Sequence, residues 1–117
     1  SMGVQLQRHT GGHPGWYDHH RRIISTRRGQ SIGQYKSVLA HELGHAHYSD
    51  TPTGNGHYDQ RQERRADEYA ARLLINPTDF EAAAIWHHGH LPAIADELEV
   101  TQHILKTWQS LYERTAA

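Results

Sequence analysis

The segment His41-Glu42-Leu43-Gly44-His45 constrains this chain more than any other. It lies in a stretch of helical apolar spacing. Val38, His41, Glu42 and His45 fall at i, i+3, i+4 and i+7, while Leu39, Leu43 and Ala46 form an adjoining stripe. Residues four apart on a helix stand one turn apart on one face, so the imidazoles of His41 and His45 can reach one metal ion. Glu42 follows His41 by about 100° of rotation, where its carboxylate can reach a water at that ion without ligating it. The pattern points to metal-assisted hydrolysis, provided that a further ligand comes from elsewhere.

Twelve of the 117 residues are histidine, so chance matches come easily. About 0.07 occurrences of such a motif are expected in this composition, and the surrounding residues must carry the rest. Gln34, Lys36 and Ser37 supply a polar side to the helix, and Ser31 or Gly33 is positioned to open it. Gly44 costs about 1 kcal/mol of helix propensity against alanine, which makes sense where a backbone or a substrate passes close. The third ligand is expected from Glu63-Arg64-Arg65-Ala66-Asp67, which begins a second amphipathic helix. There Ala66, Tyr69, Ala70, Leu73 and Leu74 repeat at i, i+3, i+4, i+7 and i+8. Glu63 and Asp67 sit at the edge of that apolar face, and inward carboxylates are costly unless compensated. A zinc ion compensates Glu63, and the free N–H of a ligating histidine compensates Asp67. Glu68 is a competing ligand, but its position turns it toward water. The bland alternatives are a buried helix with hydrogen-bonded histidines, and a solvated Glu63 among Arg61, Arg64 and Arg65.

Together, His41–His45 and Glu63-x-x-Ala66-Asp67, continuing through Tyr69-Ala70-Ala71-Arg72-Leu73-Leu74-Ile75 to Pro77, resemble the ImmA/IrrE-type metallopeptidases of bacteria, phages and mobile elements. Trp16-Tyr17-Asp18 with Ile23-Ile24 is similar to the short hairpin of that family, and Val38-Leu39-Ala40 to its run into the helix. Leu91 to Leu111 is similar to its closing helix pair. The resemblance implies a gluzincin-like domain, one Zn²⁺ held by His41, His45 and Glu63, and Glu42 as general base. It also implies a protein substrate, in that family usually a DNA-binding repressor, and a cytoplasmic setting. Ile75-Asn76-Pro77 stands where Met-Pro is usual, and no extra regulatory domain is evident.

The expected fold is α+β: a mostly helical single domain over residues 1–117 with a short N-terminal hairpin or small sheet and a zincin-like helix pair. Ser1-Met2 reads as a cloning remnant, and residues 1–15 as irregular, with Gly11-Gly12-His13-Pro14-Gly15 as turn material. Two short strands are expected over 16–28 with a turn near Asp18–His20. Helices are expected from about Ser31 to His47, from about Arg61 to Ile75, after a capping box at Thr78-x-x-Glu81, and in two further segments. The fourth helix would carry Leu91, Ile94, Ala95 and Leu98, the fifth Ile104, Leu105, Trp108, Leu111 and Tyr112. The loop Ser49–Tyr58 would rim the cleft, bringing His57 or Tyr58 over the metal as an oxyanion donor, with Tyr69 a weaker choice.

Six basic residues against one acid occupy positions 1–40. They either contact an acidic partner or keep the edge of the Ile23–Ile24 strand soluble. That same edge, near Ile23–Thr26, is expected to receive the substrate as an added strand. With no cysteine, the ligands are restricted to nitrogen and oxygen. Mean hydropathy is −0.84, so the core is lean and a metal cross-link would help it. No apolar run reaches membrane-spanning length. The last two helices resemble a helix-turn-helix, but their segment is net acidic, which disfavours direct nucleic-acid binding. A non-catalytic zinc protein of a regulatory or toxin system would have no need of Glu42. His19-His20 and His87-His88-x-His90 read as surface or packing residues rather than a second metal site. Oligomeric state is not legible.

Overall fold

Three short strands precede five helices: β1 (Gln5–His9), β2 (Gly15–Asp18), β3 (Ile23–Arg27), α1 (Ile32–His47), α2 (Gly56–Leu74), α3 (Pro77–Trp86), α4 (Leu91–Leu98) and α5 (Gln102–Ala116). The computed structural model describes residues 3–116, the side chains of Tyr58, Thr115 and Ala116 excepted, so Ser1 and Met2 lie outside it. The architecture is the expected α+β one, helices packed against a small sheet.

The sheet order is β1-β3-β2. β2 and β3 form the expected antiparallel hairpin, with Tyr17 opposite Ile24. Residues 5–9, expected to be irregular, instead form β1, parallel to β3 with Leu6 opposite Ile24. Gln-Leu-Gln-Arg-His carries almost no apolar signal because the strand lies on the exposed edge, with Leu6 60% exposed. Main-chain pairing alone makes it a strand. β3 is the central strand, so Ile23–Thr26 has no free edge to guard or to offer, and the open edges belong to β1 and β2. Several of the arginines are tied locally: Arg21 to Asp18 at 3.1 Å, Arg27 to the Gly12 carbonyl at 2.8 Å, and Arg22 to the Tyr17 hydroxyl at 2.8 Å.

Ser31 caps α1, its Oγ accepting from the Gln34 N–H at 3.2 Å. The helix lies between the sheet, where Ile24 is fully buried, and the remaining helices. Ser37, assigned to the polar side by spacing, is buried instead and accepts from the Thr101 N–H at 3.0 Å. α2 starts five residues earlier than expected, because the Asn55 side chain accepts from the His57 N–H at 3.0 Å and begins the turn. His57 and Tyr58 therefore belong to a first helical turn rather than to a loop. α3 is capped by Asn76, not by Thr78: Asn76 Oδ1 accepts from the N–H groups of Thr78 at 2.7 Å and Asp79 at 3.4 Å. Pro77 at the first helical position has the required φ and no N–H to satisfy, which selects that register.

Ile94 and Ala95 of α4 join Ile104, Leu105, Trp108 and Leu111 of α5 in the core, with Ala70 and Ala71 of α2 and Ile75 just past its end. Trp108 packs between Phe80 and Tyr112, ring centroids 4.8 and 4.9 Å away. The last two helices close the domain with their apolar faces. On the outside, Arg114 is 3.5 Å from Glu68, the carboxylate rotated away from the cleft. Among the described residues, no helix is long and apolar enough to cross a membrane.

Candidate metal centre

Gly44 sets the geometry. A Cβ built there would stand 3.0 Å from the Ala66 Cα and 3.1 Å from the Ala66 carbonyl oxygen. Only glycine lets α2 approach α1 this closely at this point, and Glu63 lies one turn before Ala66. The result is a tripod. His41 Nε2 and His45 Nε2 are 3.1 Å apart, and Glu63 Oε2 lies 2.6 Å from the first and 3.2 Å from the second. Among the described residues this is the one group of three or more such side chains able to hold a metal ion.

The donor set suits such an ion. Tetrahedral zinc with bonds of about 2.0–2.1 Å keeps its ligand atoms about 3.3 Å apart. The 3.1 and 3.2 Å spacings made by His45 Nε2 nearly match this, and the 2.6 Å between His41 Nε2 and Glu63 Oε2 would have to open. Both imidazoles also turn the correct nitrogen inward, because each outer nitrogen is held by a carboxylate. His41 Nδ1 lies 2.7 Å from Asp67 Oδ1, and His45 Nδ1 lies 2.9 Å from Asp50 Oδ2. Glu63 reaches in from the rim with a side chain 61% exposed, so the tripod opens toward the cleft.

Glu42, buried beside the two histidines, lines the cleft on both sides. In front lies a cavity of about 310 Å³ bounded by Gly15, Tyr17, Glu42, His45, Pro52 and Glu63. Beyond His41 lies a second, of about 300 Å³, bounded by Pro14, Val38, Glu42, Asp67, His103 and Ile104. β2 forms the wall shared by both. It can lie against α1 because residue 15 is glycine: a Cβ there would run into Val38 Cγ1 and come within 3.4 Å of Glu42 Cγ.

Burial pushes the Glu42 carboxyl above its usual range, and the neighbouring His41 and His45 oppose that rise. For His41, burial works against the charged form. The hydrogen bonds that its ring nitrogens donate to Asp67 and Glu63 outweigh it and raise the imidazole to about 10. His45 is likewise raised, burial being overcome by its bonds to Glu63 and Asp50. Glu63 is held well below the carboxylate range by hydrogen bonds from both imidazoles. Asp67, though burial raises it, is drawn down by His41 and His103.

The structure thus brings His41, Glu42, His45, Glu63 and Asp67 together as their spacing implied. The three oxyanion candidates fare differently. His57 is exposed, and neither it nor Tyr69 lines either cavity. Tyr69 packs instead with His47 and Tyr48, ring centroids 5.0 and 6.3 Å away. The Tyr58 side chain lies outside the described residues. The phenol that does line the front cavity is Tyr17, whose hydroxyl meets His19 Nδ1 and Arg22 Nη1, each at 2.8 Å. His87 stays apart, 2.8 Å from Glu97.

Two residues at the site escape the sequence patterns. Asp50 lies in a loop with no periodicity, and its one available signal is its position just past the end of the motif helix. His103, 2.7 Å from Asp67 Oδ2, comes from α5, far along the chain, and its position on the polar side of that helix carries no mark. A family profile described as peptidase M78, the IrrE N-terminal-like domain, matches residues 4–107. No curated protein matches the chain.

Proposed function

The chain belongs to the peptidase M78 family, that of the IrrE N-terminal-like domain, and on this footing we propose that it is a zinc-dependent endopeptidase acting on a protein substrate. The observation that carries the reading is the tripod of His41, His45 and Glu63 with the buried Glu42 beside it at the head of a cleft.

His41, His45 and Glu63 would hold the ion, and three protein ligands leave room for a further one, as a catalytic site requires. A divalent cation bound there supplies Lewis acidity, acidifying water and polarising a carbonyl. Glu42 accepts the proton of the attacking water and hands it to the departing amine nitrogen. Its burial favours that role, since a carboxylate raised above its usual range takes up a proton more readily. Asp67 and Asp50 keep the imidazoles oriented. The substrate main chain adds to the open edge of β2, beside Glu42, rather than to β3. We further propose a DNA-binding repressor as the substrate and the cytoplasm as the setting, in keeping with the family resemblance.

The test is the full chain incubated with the repressor encoded beside its gene, with and without chelator, fragments being read by mass spectrometry. Cleavage by the parent is expected to stop with chelator and to fall at least a hundredfold in Glu42→Gln, at unchanged zinc content. Equal turnover by that variant would remove the general base. A non-catalytic zinc protein would leave a panel of repressors intact.

A further inference from the structure

We infer that Asp50, backed by Arg65 and Tyr48, is a positioning unit that orients His45 and pins the cleft wall through one carboxylate. This rests on the reading of His41, His45 and Glu63 as metal ligands. It adds residues that the ligand pattern does not contain.

The unit is built from the end of α1. Tyr48 closes the helix, its N–H bonding to the Gly44 carbonyl, and Ser49 takes a left-handed conformation at φ 55. That residue reverses the chain, and the Asp50 N–H returns to the His45 carbonyl at 2.9 Å. The Asp50 side chain, 5% exposed, is carried back beneath the imidazole of the same residue, where Oδ2 meets Nδ1. A buried carboxylate is stable only when both oxygens are satisfied. The other oxygen, Oδ1, accepts from Arg65 Nη2 at 2.6 Å, and the Arg65 guanidinium lies over the Tyr48 ring, 4.0 Å from its centroid.

Two consequences follow from where these residues sit. Arg65 is two residues past Glu63 on α2. The helix that delivers the third ligand therefore also clamps the support of the second. Thr51 and Pro52, directly after Asp50, form part of the front cavity. A carboxylate held at both oxygens thus fixes the start of the loop that borders the substrate. His41 has a separate support in Asp67, so a change at position 50 acts on one imidazole and spares the other.

The experiment titrates zinc into the full chain against a chromophoric chelator and records imidazole N–H resonances by NMR. Asp50→Ala is expected to weaken zinc binding ten- to a hundredfold. It should also remove the protected His45 Nδ1–H resonance while leaving that of His41 in place. Asp50→Asn, still an acceptor, should lose less, and Arg65→Lys less than Arg65→Ala. Parent affinity together with an unmoved His45 resonance in Asp50→Ala would overturn the inference. If that variant fails to fold, parent affinity and resonances in both Asp50→Asn and Arg65→Ala would do so. A parent chain that binds no zinc overturns the metal reading itself, a result separate from either of these.

Discussion

At the scale of single residues, Gly44 sets two effects against each other. Alanine in a helix interior is better than glycine by about 1 kcal/mol, so propensity alone favours Gly44→Ala. The added methyl would meet backbone atoms of Ala66 at 3.0 and 3.1 Å, and backbone does not swing aside as a side-chain tip does. Overpacking of this kind costs about 1–3 kcal/mol, and here the steric effect wins. Gly44→Ala should lower thermal stability and weaken metal binding, because α2 must retreat and carry Glu63 with it. Calorimetry with and without zinc checks both. A variant stabilised by the full propensity gain would show that the helices have slack at this crossing.

At the scale of elements, the cap of α3 shows how one residue decides a boundary. Thr78 and Glu81 have capping-box spacing, but Asn76 stands two residues earlier with Pro77 after it, and its side chain takes both orphan N–H groups. Asn76→Ala should therefore destabilise the protein by about 1 kcal/mol, within 0.5–2. Thr78→Ala should change stability by a few tenths or less. Denaturant unfolding of the two variants distinguishes the caps, and reversed magnitudes would restore the capping box. The same competition explains α2. Polar Gly56–Gln60 carries no apolar period, yet it is helical because Asn55 starts the turn.

For the whole molecule, a bound ion would tie α1 to α2 across a lean core, and it must compete with protons for the same imidazole nitrogens. In the metal-free chain, His41 is raised from 6.5 to about 10, so its stabilising contribution is complete below pH 6.5 and vanishes as pH climbs to about 10. Glu63 runs the other way: lowered from 4.5, it contributes above that value and less as the medium becomes acidic. Chelator-treated protein should thus melt highest between about pH 4.5 and 6.5 and lose stability through pH 10. The rise in melting temperature on adding zinc should grow as the pH climbs from 6.5 toward about 10, where His41 gives up the proton that competes with the ion. A melting temperature of the metal-free chain that is flat from pH 6.5 to 10 would show that His41 is not held in its protonated form.

What the chain by itself determined is local. Spacing of three and four residues places His41, Glu42 and His45 on one helix and Glu63 with Asp67 on another, because helical periodicity depends on near neighbours alone. The apolar faces of α4 and α5 were legible for the same reason. Only tertiary structure decided that β1 exists, that β3 is central with β1 and β2 at the edges, and that Asp50, Arg65 and His103 support the imidazoles. Strand partners and outer carboxylates are chosen by contacts between residues distant in sequence, or by the path of an irregular loop. Neither leaves a repeat in the amino-acid order.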